Sequence, residues 1–235
     1  MMEKHTLAII TARGGSKRIP RKNIKMFLGK PIIAYPIQAA LESEVFDEVM
    51  VSTEDKEIAA IGKKFGAKVP FYRSQKNADD HATTADVIDE VIKTYQKRGS
   101  TFKYACCIYP TAPFITPQKL RAGLELLISS GADSVVPIVC FSYPPQRGVR
   151  IKNNKIRMLH PKYINTHSQN LEPVYHDCAQ YYFLNTTSFK KQRQYYMKNT
   201  LPVVTPETEV QDIDHLEDWL IAEIKYKYLK DQGRL

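Results

Sequence analysis

The chain has 235 residues, enough for one well-buried α/β domain. Lys and Arg number 34 against 25 Asp and Glu, a net charge of +9, which admits nucleic acid, acidic lipid or a phosphorylated small molecule as partner. There is no run of 18 apolar residues, "MMEKHTLAII" has no signal-peptide pattern, and Cys106, Cys107, Cys140 and Cys178 lack C-x-x-C spacing, so a cytoplasmic chain with reduced thiols and no membrane span is expected.

Leu7 to Ala12 reads as a buried strand, followed by a Gly-rich basic loop. Pro31 to Leu41 reads as a helix in which Pro36 predicts a kink or a late start. "DEVMVS" is a second strand; Ser52 or Thr53 can cap the next helix, which points Ile58, Ile61 and Phe65 inward and stops at Gly66. "AKVPFYR" reads as a short third strand. Thr83 or Thr84 can cap a helix whose stripe is Val87, Ile88, Val91, Ile92 and Tyr95, and "YACCIY" follows as a fully buried strand.

Thr116-Pro117 opens a helix with Leu120, Leu124, Leu127 and Ile128 on one side and Gly131 at its end, before the strand "DSVVPIVC". Strand and helix alternate to this point, as in a parallel sheet wrapped by right-handed crossovers. From Phe141 to Tyr175 the alternation breaks, and "GVRIKNNKIRML" reads as two strands joined at Asn153-Asn154. "AQYYFL" and "LPVVT" return as strands, and Asp214 to Leu229 closes the chain as a helix with Leu216, Trp219, Leu220 and Ile224 inward. The expected architecture is α/β: a single domain over residues 1–235 with a mostly parallel, Rossmann-like sheet and a β-rich excursion over 141–175.

The positive charge lies in the opening loop, "KKFGAK", "RGVRIKNNKIR" and "KKQR", without an unbroken basic tract or an aromatic ladder, which argues against nucleic acid. "ARGGSKRIPRKN" fits neither G-x-x-x-x-G-K-[ST] nor G-x-G-x-x-G. It nevertheless sits at a strand end, where Gly14 and Gly15 can turn backbone N–H groups to an anion while Arg13 and Lys22 reach it from either side. A triphosphate suits that arrangement; a solvated basic loop is the alternative. Asp212 and Asp214, two apart in "DID", can share Mg²⁺ with substrate phosphates, although Asp214 with Glu217 also spells a capping box. "YPTAPF" ends a strand, and "YHDCAQYYF" places His176 and Asp177 at the mouth of another, where a surface pair is the plainer reading.

Together "ARGGSKRIPRKN", "YPTAPF" and "DID" resemble the CMP-sialic acid synthetase family of cytidylyltransferases along nearly the whole chain. Members commonly read "PARGGSKG-x-P-x-KN"; this chain matches from Ala12 to Lys17 and at Pro20, Lys22 and Asn23, with Thr11 for Pro and Arg18 for Gly. Arg18, Tyr109 and "YHDCAQYYF" look most like the pseudaminic acid branch, with sialic, legionaminic and KDO activation as rival readings and a non-catalytic nucleotide-binding protein as a rival of another class.

The resemblance implies a nucleotidyltransferase fold in which Arg13 and Lys22, helped by Ser16 and Lys17, hold the CTP phosphates, with Ala12, Gly14, Gly15 and Asn23 also nucleotide-binding. It further implies Arg73, Ala82, Thr83 and Thr84 on cytosine and ribose, and Mg²⁺ at Asp212 and Asp214. The implied reaction is attack by the anomeric hydroxyl of a nine-carbon 2-keto sugar acid on the CTP α-phosphate, with Arg13, Lys22 and Asp214 as the catalytic set. Asp214 acting through metal-bound water is the first candidate general base, and His176 the second. Tyr109, His176, Asp177 and Gln180 are expected on the sugar side, Arg18 and Arg21 are read as solvated, and the excursion is expected to serve a homodimer.

Overall fold

The computed structural model describes residues 2–79 and 81–235, with side chains from residue 5 onward. Strand β1 (Met2–Thr11) leads through the basic loop to a small ribbon, β2 (Met26–Phe27) and β3 (Lys30–Pro31). Helix α1 (Ala34–Ser43) starts late, with Pro36 in its first turn, where a missing N–H costs nothing. Strand β4 (Glu48–Ser52) is buried along its length, and α2 (Lys56–Lys64) follows. Its cap is Asp55 rather than Ser52 or Thr53: the carboxylate accepts the N–H groups of Glu57 and Ile58. "AKVPFYR" forms no strand; a single bridge joins Lys68 to Met50 before Pro70, which has no N–H, ends the pairing.

Helix α3 (Thr84–Lys97) is capped by Thr83, whose box partner is Asp86, and buries all five residues of its expected stripe. Strand β5 (Ser100–Ile108) precedes α4 (Pro117–Ser130), capped by Thr116 and ended by Gly131 at a φ of 65°. Leu120, Leu124 and Leu127 are buried, but Ile128 lies outside, half exposed, because it falls beyond the stripe that meets the sheet. Strand β6 (Ser134–Cys140) opens the excursion, in which β7 (Val149–Lys152) and β8 (Lys155–Met158) form a hairpin turned by Asn153 and Asn154 at φ of 51° and 55°. Both residues are left-handed, as a two-residue turn of matching twist requires.

The chain returns through β9 (Tyr175–Asp177) and β10 (Tyr181–Asn185), adds the short helix α5 (Thr186–Gln192), which the sequence reading lacked, and ends with β11 (Thr200–Val204) and α6 (Leu216–Asp231). The sheet order is β11-β6-β10-β5-β1-β4, with β9 also on β6. Strands β11, β6, β5, β1 and β4 run one way; β10 and β9 oppose them, giving a mixed, mostly parallel sheet.

One face packs Ala8, Ile10, Val135 and Phe183 against α1 and α4, and the other packs Leu7, Ile9, Tyr182 and Leu184 against α3 and α5. A third cluster joins Phe27 and Tyr35 to Trp219 and Ala222 of α6. Only one stripe of α6 is covered: Leu216, Leu220 and Ile224, expected inward, are more than half exposed, since the ribbon meets the helix through Trp219 instead.

Candidate active site

The carboxyl ends of β1, β4 and β5 meet at one edge of the sheet and surround a cavity of about 540 Å³. Arg13, Ser16, Lys17, Lys22 and Asn23 line it from the basic loop, together with Arg73, Ala82, Thr84 and Tyr109 from the segments that follow β4 and β5. Ala12 is buried and donates its N–H to Ser52 O at 3.1 Å, anchoring the start of the loop. Asn23, also buried, donates to Arg13 O at 2.9 Å and so ties the two limbs of the loop together. Gly14 directs its N–H not into the cavity but to Glu54 Oε1 at 2.7 Å, and neither Gly14 nor Gly15 lines the cavity.

Arg73 is 7 % exposed and is fixed by Ser52, whose hydroxyl accepts from Nε at 3.1 Å. Burial lowers its guanidinium from the ordinary value, against the opposing charge of Glu54, but arginine stays cationic at any physiological pH. Thr83 is spent on the α3 cap and does not face the cavity, whereas Thr84 does, its hydroxyl 3.1 Å from that of Tyr109. Asp79 Oδ1 accepts the N–H groups of His81 and Ala82, which shapes the wall beneath Arg13.

Burial pushes the Tyr109 phenol up to about 12, so it acts as a neutral hydroxyl. Its ring meets Tyr182 edge-on at 5.4 Å, and Tyr182 in turn donates to Asp177, whose two carboxylate oxygens lie 2.9 and 2.8 Å away. Tyr195 lies 4.3 Å from Tyr182 and adjoins Tyr196, extending this aromatic wall. His176 and Asp177 do not act as a pair: successive strand residues face opposite ways, and the His176 ring rests on Phe141. Gln180 is buried, donates Nε2 to Glu209 O at 2.7 Å and leaves Oε1 without a hydrogen-bond partner. His176, Asp177 and Gln180 lie outside the cavity's lining.

Asp212 and Asp214 flank buried Ile213 just before α6. Lys22 Nζ donates to Ile213 O at 2.6 Å and lies 3.5 Å from Asp214, which places the carboxylates beside the basic loop. Desolvation and then the charge of Asp214 raise the Asp212 carboxyl above its ordinary value; because the residue as a whole is exposed, the neighbouring charge is the sturdier cause. Two adjacent all-oxygen ligands crowded by their own charge suit a hard divalent cation completed by phosphate oxygens. Among the described residues no group of three or more His, Cys, Asp or Glu forms a metal cage, so such an ion would depend on substrate for its remaining ligands.

Arg18 and Arg21 are not merely solvated. Arg18 pairs with Asp214 at 2.7 Å, and Arg21 forks onto Asp55 and Glu57. Glu54, Asp55, Asp79 and Asp218 are contributors that the sequence reading missed. The available signal was a pair of acids at the end of β4, facing a loop rich in arginine.

A cavity at the strand ends of such a sheet, lined by the cations of a basic loop and by a buried arginine, has the layout of a nucleotidyltransferase. The sequence pattern described as Cytidylyltransferase matches residues 7–232, and the chain belongs to that family. It is 38% identical over 222 residues to "Pseudaminic acid cytidylyltransferase" of Campylobacter jejuni, covering 94% of this chain and 96% of that one. It is 31% identical to "CMP-N,N'-diacetyllegionaminic acid synthase" of Legionella pneumophila over 92% of this chain and 94% of the other. In fold it is similar to a CMP:2-keto-3-deoxy-manno-octonic acid synthetase solved with CTP, at a TM-score of 0.69 and 15% identity, covering 97% and 100% of the two chains.

Proposed function

We propose that this enzyme transfers CMP from CTP to the anomeric hydroxyl of pseudaminic acid and releases pyrophosphate. The observation that carries this reading is the 38% identity to pseudaminic acid cytidylyltransferases over 94% of the chain, joined to a cavity lined by Arg13, Lys17, Lys22 and Arg73. The triphosphate lies along the basic loop, and Arg73 with Ala82 and Thr84 takes the nucleoside. The sugar enters beside Tyr109, whose neutral hydroxyl and aromatic neighbours suit an acylated sugar.

The anomeric oxygen attacks the α-phosphorus in line, the bond to the β-phosphate oxygen breaks, and pyrophosphate leaves. Arg13 and Lys22 hold the charge that moves onto the leaving group, and Asp214 takes the hydroxyl proton. Asp212 and Asp214 would hold Mg²⁺, which supplies further charge neutralisation when bound. We also propose a homodimer built on the excursion, supported by the exposure of Ile151 and Ile156, 78% and 69%, on the hairpin. Among the described residues no helix is long and apolar enough to cross a membrane. The cytoplasm, where CTP is available, is the proposed site of action.

Pyrophosphate release from CTP and Mg²⁺ is measured with pseudaminic, N,N'-diacetyllegionaminic and N-acetylneuraminic acids in parallel. Release with pseudaminic acid is expected. Release only with the legionaminic sugar would move the assignment to that substrate, and silence from folded protein with all three would sink it.

A further inference from the structure

The loop that lines the phosphate side of the cavity is held from outside by two consecutive acids at the end of β4. Glu54 Oε1 accepts the Gly14 N–H at 2.7 Å and grips the outgoing limb. Asp55 grips the returning limb: Arg21 NH1 lies 2.6 Å from Oδ2 and NH2 3.1 Å from Oδ1. The two grips also touch each other, because a Cβ on Gly14 would sit 2.6 Å from Asp55 Oδ2 and 3.3 Å from Arg21 NH1. Arg21 itself is left-handed, at a φ of 55°, and directly precedes Lys22. The second grip of Asp55 is on the rigid scaffold, where Oδ1 caps α2 through the N–H groups of Glu57 and Ile58, each at 2.9 Å.

We infer that Asp55 and Arg21 are positioning residues: a clasp that ties the phosphate-binding loop to the first turn of α2 and so sets where Arg13 and Lys22 meet the nucleotide. Neither residue lines the cavity, so neither touches substrate. This inference rests on the reading of the cavity as a CTP site. Its effect falls on nucleotide binding and on the charge stabilisation by Arg13 and Lys22, and not on the sugar, since the clasp acts on the loop and not on the Tyr109 side.

Asp55→Asn separates the clasp from the helix cap. Asn caps helices as well as Asp does, but it cannot form a charge-assisted fork with Arg21. The sign of the effect also separates positioning from bulk electrostatics: removing an acid near a triphosphate site would by charge alone tighten CTP, whereas releasing the loop weakens it.

The expected result for Asp55→Asn is a KM for CTP raised about fivefold and a kcat lowered with it, since Arg13 and Lys22 also hold charge on the leaving group, while the sugar KM stays within about twofold. In the nucleotide-free protein, trypsin should cut after Lys17 and Arg18 faster by a similar factor. Arg21→Gln, which caps nothing, should reproduce both changes, Arg21→Lys should restore part of the loss, and Glu57→Gln, at an exposed contact, should leave both readouts near wild type. Should Asp55→Asn fail to fold, the tryptic cleavage of Arg21→Gln carries the test, because loss of a cation would by charge alone raise the CTP KM. An unchanged or lowered CTP KM together with unchanged tryptic cleavage would overturn the clasp and leave Asp55 a helix cap. If the wild-type enzyme itself turns over no CTP, the functional reading fails, and the tryptic comparison still decides the clasp.

Discussion

Asp218 Oδ2 accepts the backbone N–H of Asp214 at 2.9 Å and that of His215 at 2.7 Å. The carboxylate that caps α6 therefore belongs to Asp218, and the Asp214 side chain is left to Arg18 and Lys22. Asp218→Ala is expected to cost about 1 kcal/mol of stability and to lower turnover by disturbing the backbone of Asp214. Asp214→Asn should leave the melting temperature within about 2 °C of wild type while removing most activity. Thermal melts and pyrophosphate release on both variants check the division; equal destabilisation by the two would refute it.

Asp212→Asn tests the metal assignment by dissociating activity from stability. Its carboxyl is raised in the folded state, so folding favours the protonated form, and ionisation opposes stability as pH rises past the ordinary carboxylate value. Neutralising the side chain should not lower the melting temperature at pH 7, yet Mg²⁺-dependent turnover should fall by about a hundredfold or more. Retained turnover with a normal Mg²⁺ requirement would count against Asp212 as a ligand.

The Asp55–Arg21 pair has a pH signature. The Arg21 hydrogen bond holds the Asp55 carboxyl down to about 2, from 3.8. A depressed carboxylate contributes stability that is complete above the unfolded value and is lost as pH falls from 3.8 towards 2. With the pair partly exposed, that contribution is on the order of 1 kcal/mol. Asp55→Asn should flatten this part of the acid-unfolding curve, and an unchanged acid limb would argue that the pair is screened away in solution.

At Gly123, α4 packs directly on the sheet: a Cβ there would lie 2.8 Å from Phe183 Cε2 and 2.9 Å from Cδ2. Phe183 is fully buried and cannot swing clear. Gly123→Ala should destabilise the fold by about 1–3 kcal/mol despite its better helix propensity, a sign that urea unfolding reads directly.

On the hairpin, Ile151→Asp and Ile156→Asp bear on assembly. Within one chain both side chains are largely solvent-exposed, so monomer stability should change by less than about 0.5 kcal/mol. If the excursion forms the dimer, sedimentation should show dissociation; a dimer that survives both substitutions would place the interface elsewhere.

The sequence exposed those elements whose signals are local. The Thr116-Pro117 start, the Gly131 stop and the Asn153-Asn154 turn each follow from the backbone demands of one or two residues, and the α3 stripe from a single clear period. Helix α6 was misread because it carries two apolar stripes: Trp219, Ala222 and Leu229 are buried, while Leu216, Leu220, Ile224 and Tyr228 are exposed. Periodicity finds both stripes and cannot say which meets a neighbour. The site was half legible for the same reason. Basic residues after a first strand announce an anion, but the acids at 54 and 55 that brace them act across the sheet edge, and only tertiary placement joins Glu54 to Gly14 or Asp55 to Arg21.

The position of β10 has a consequence for biosynthesis. It lies between β5 and β6, pairing antiparallel with both, although both are translated before it. A nascent chain that has emerged only as far as residue 180 therefore holds β5 with no mate on the edge that β10 takes, and β6 mated on its facing edge only by β9, over Ile138 to Cys140. Those edges are templates for wrong partners until residues 181–185 leave the ribosome and slot between them. The most vulnerable moment in the life of this enzyme falls late in its translation, and chaperone demand should peak over that interval rather than at the appearance of the first β-α-β units.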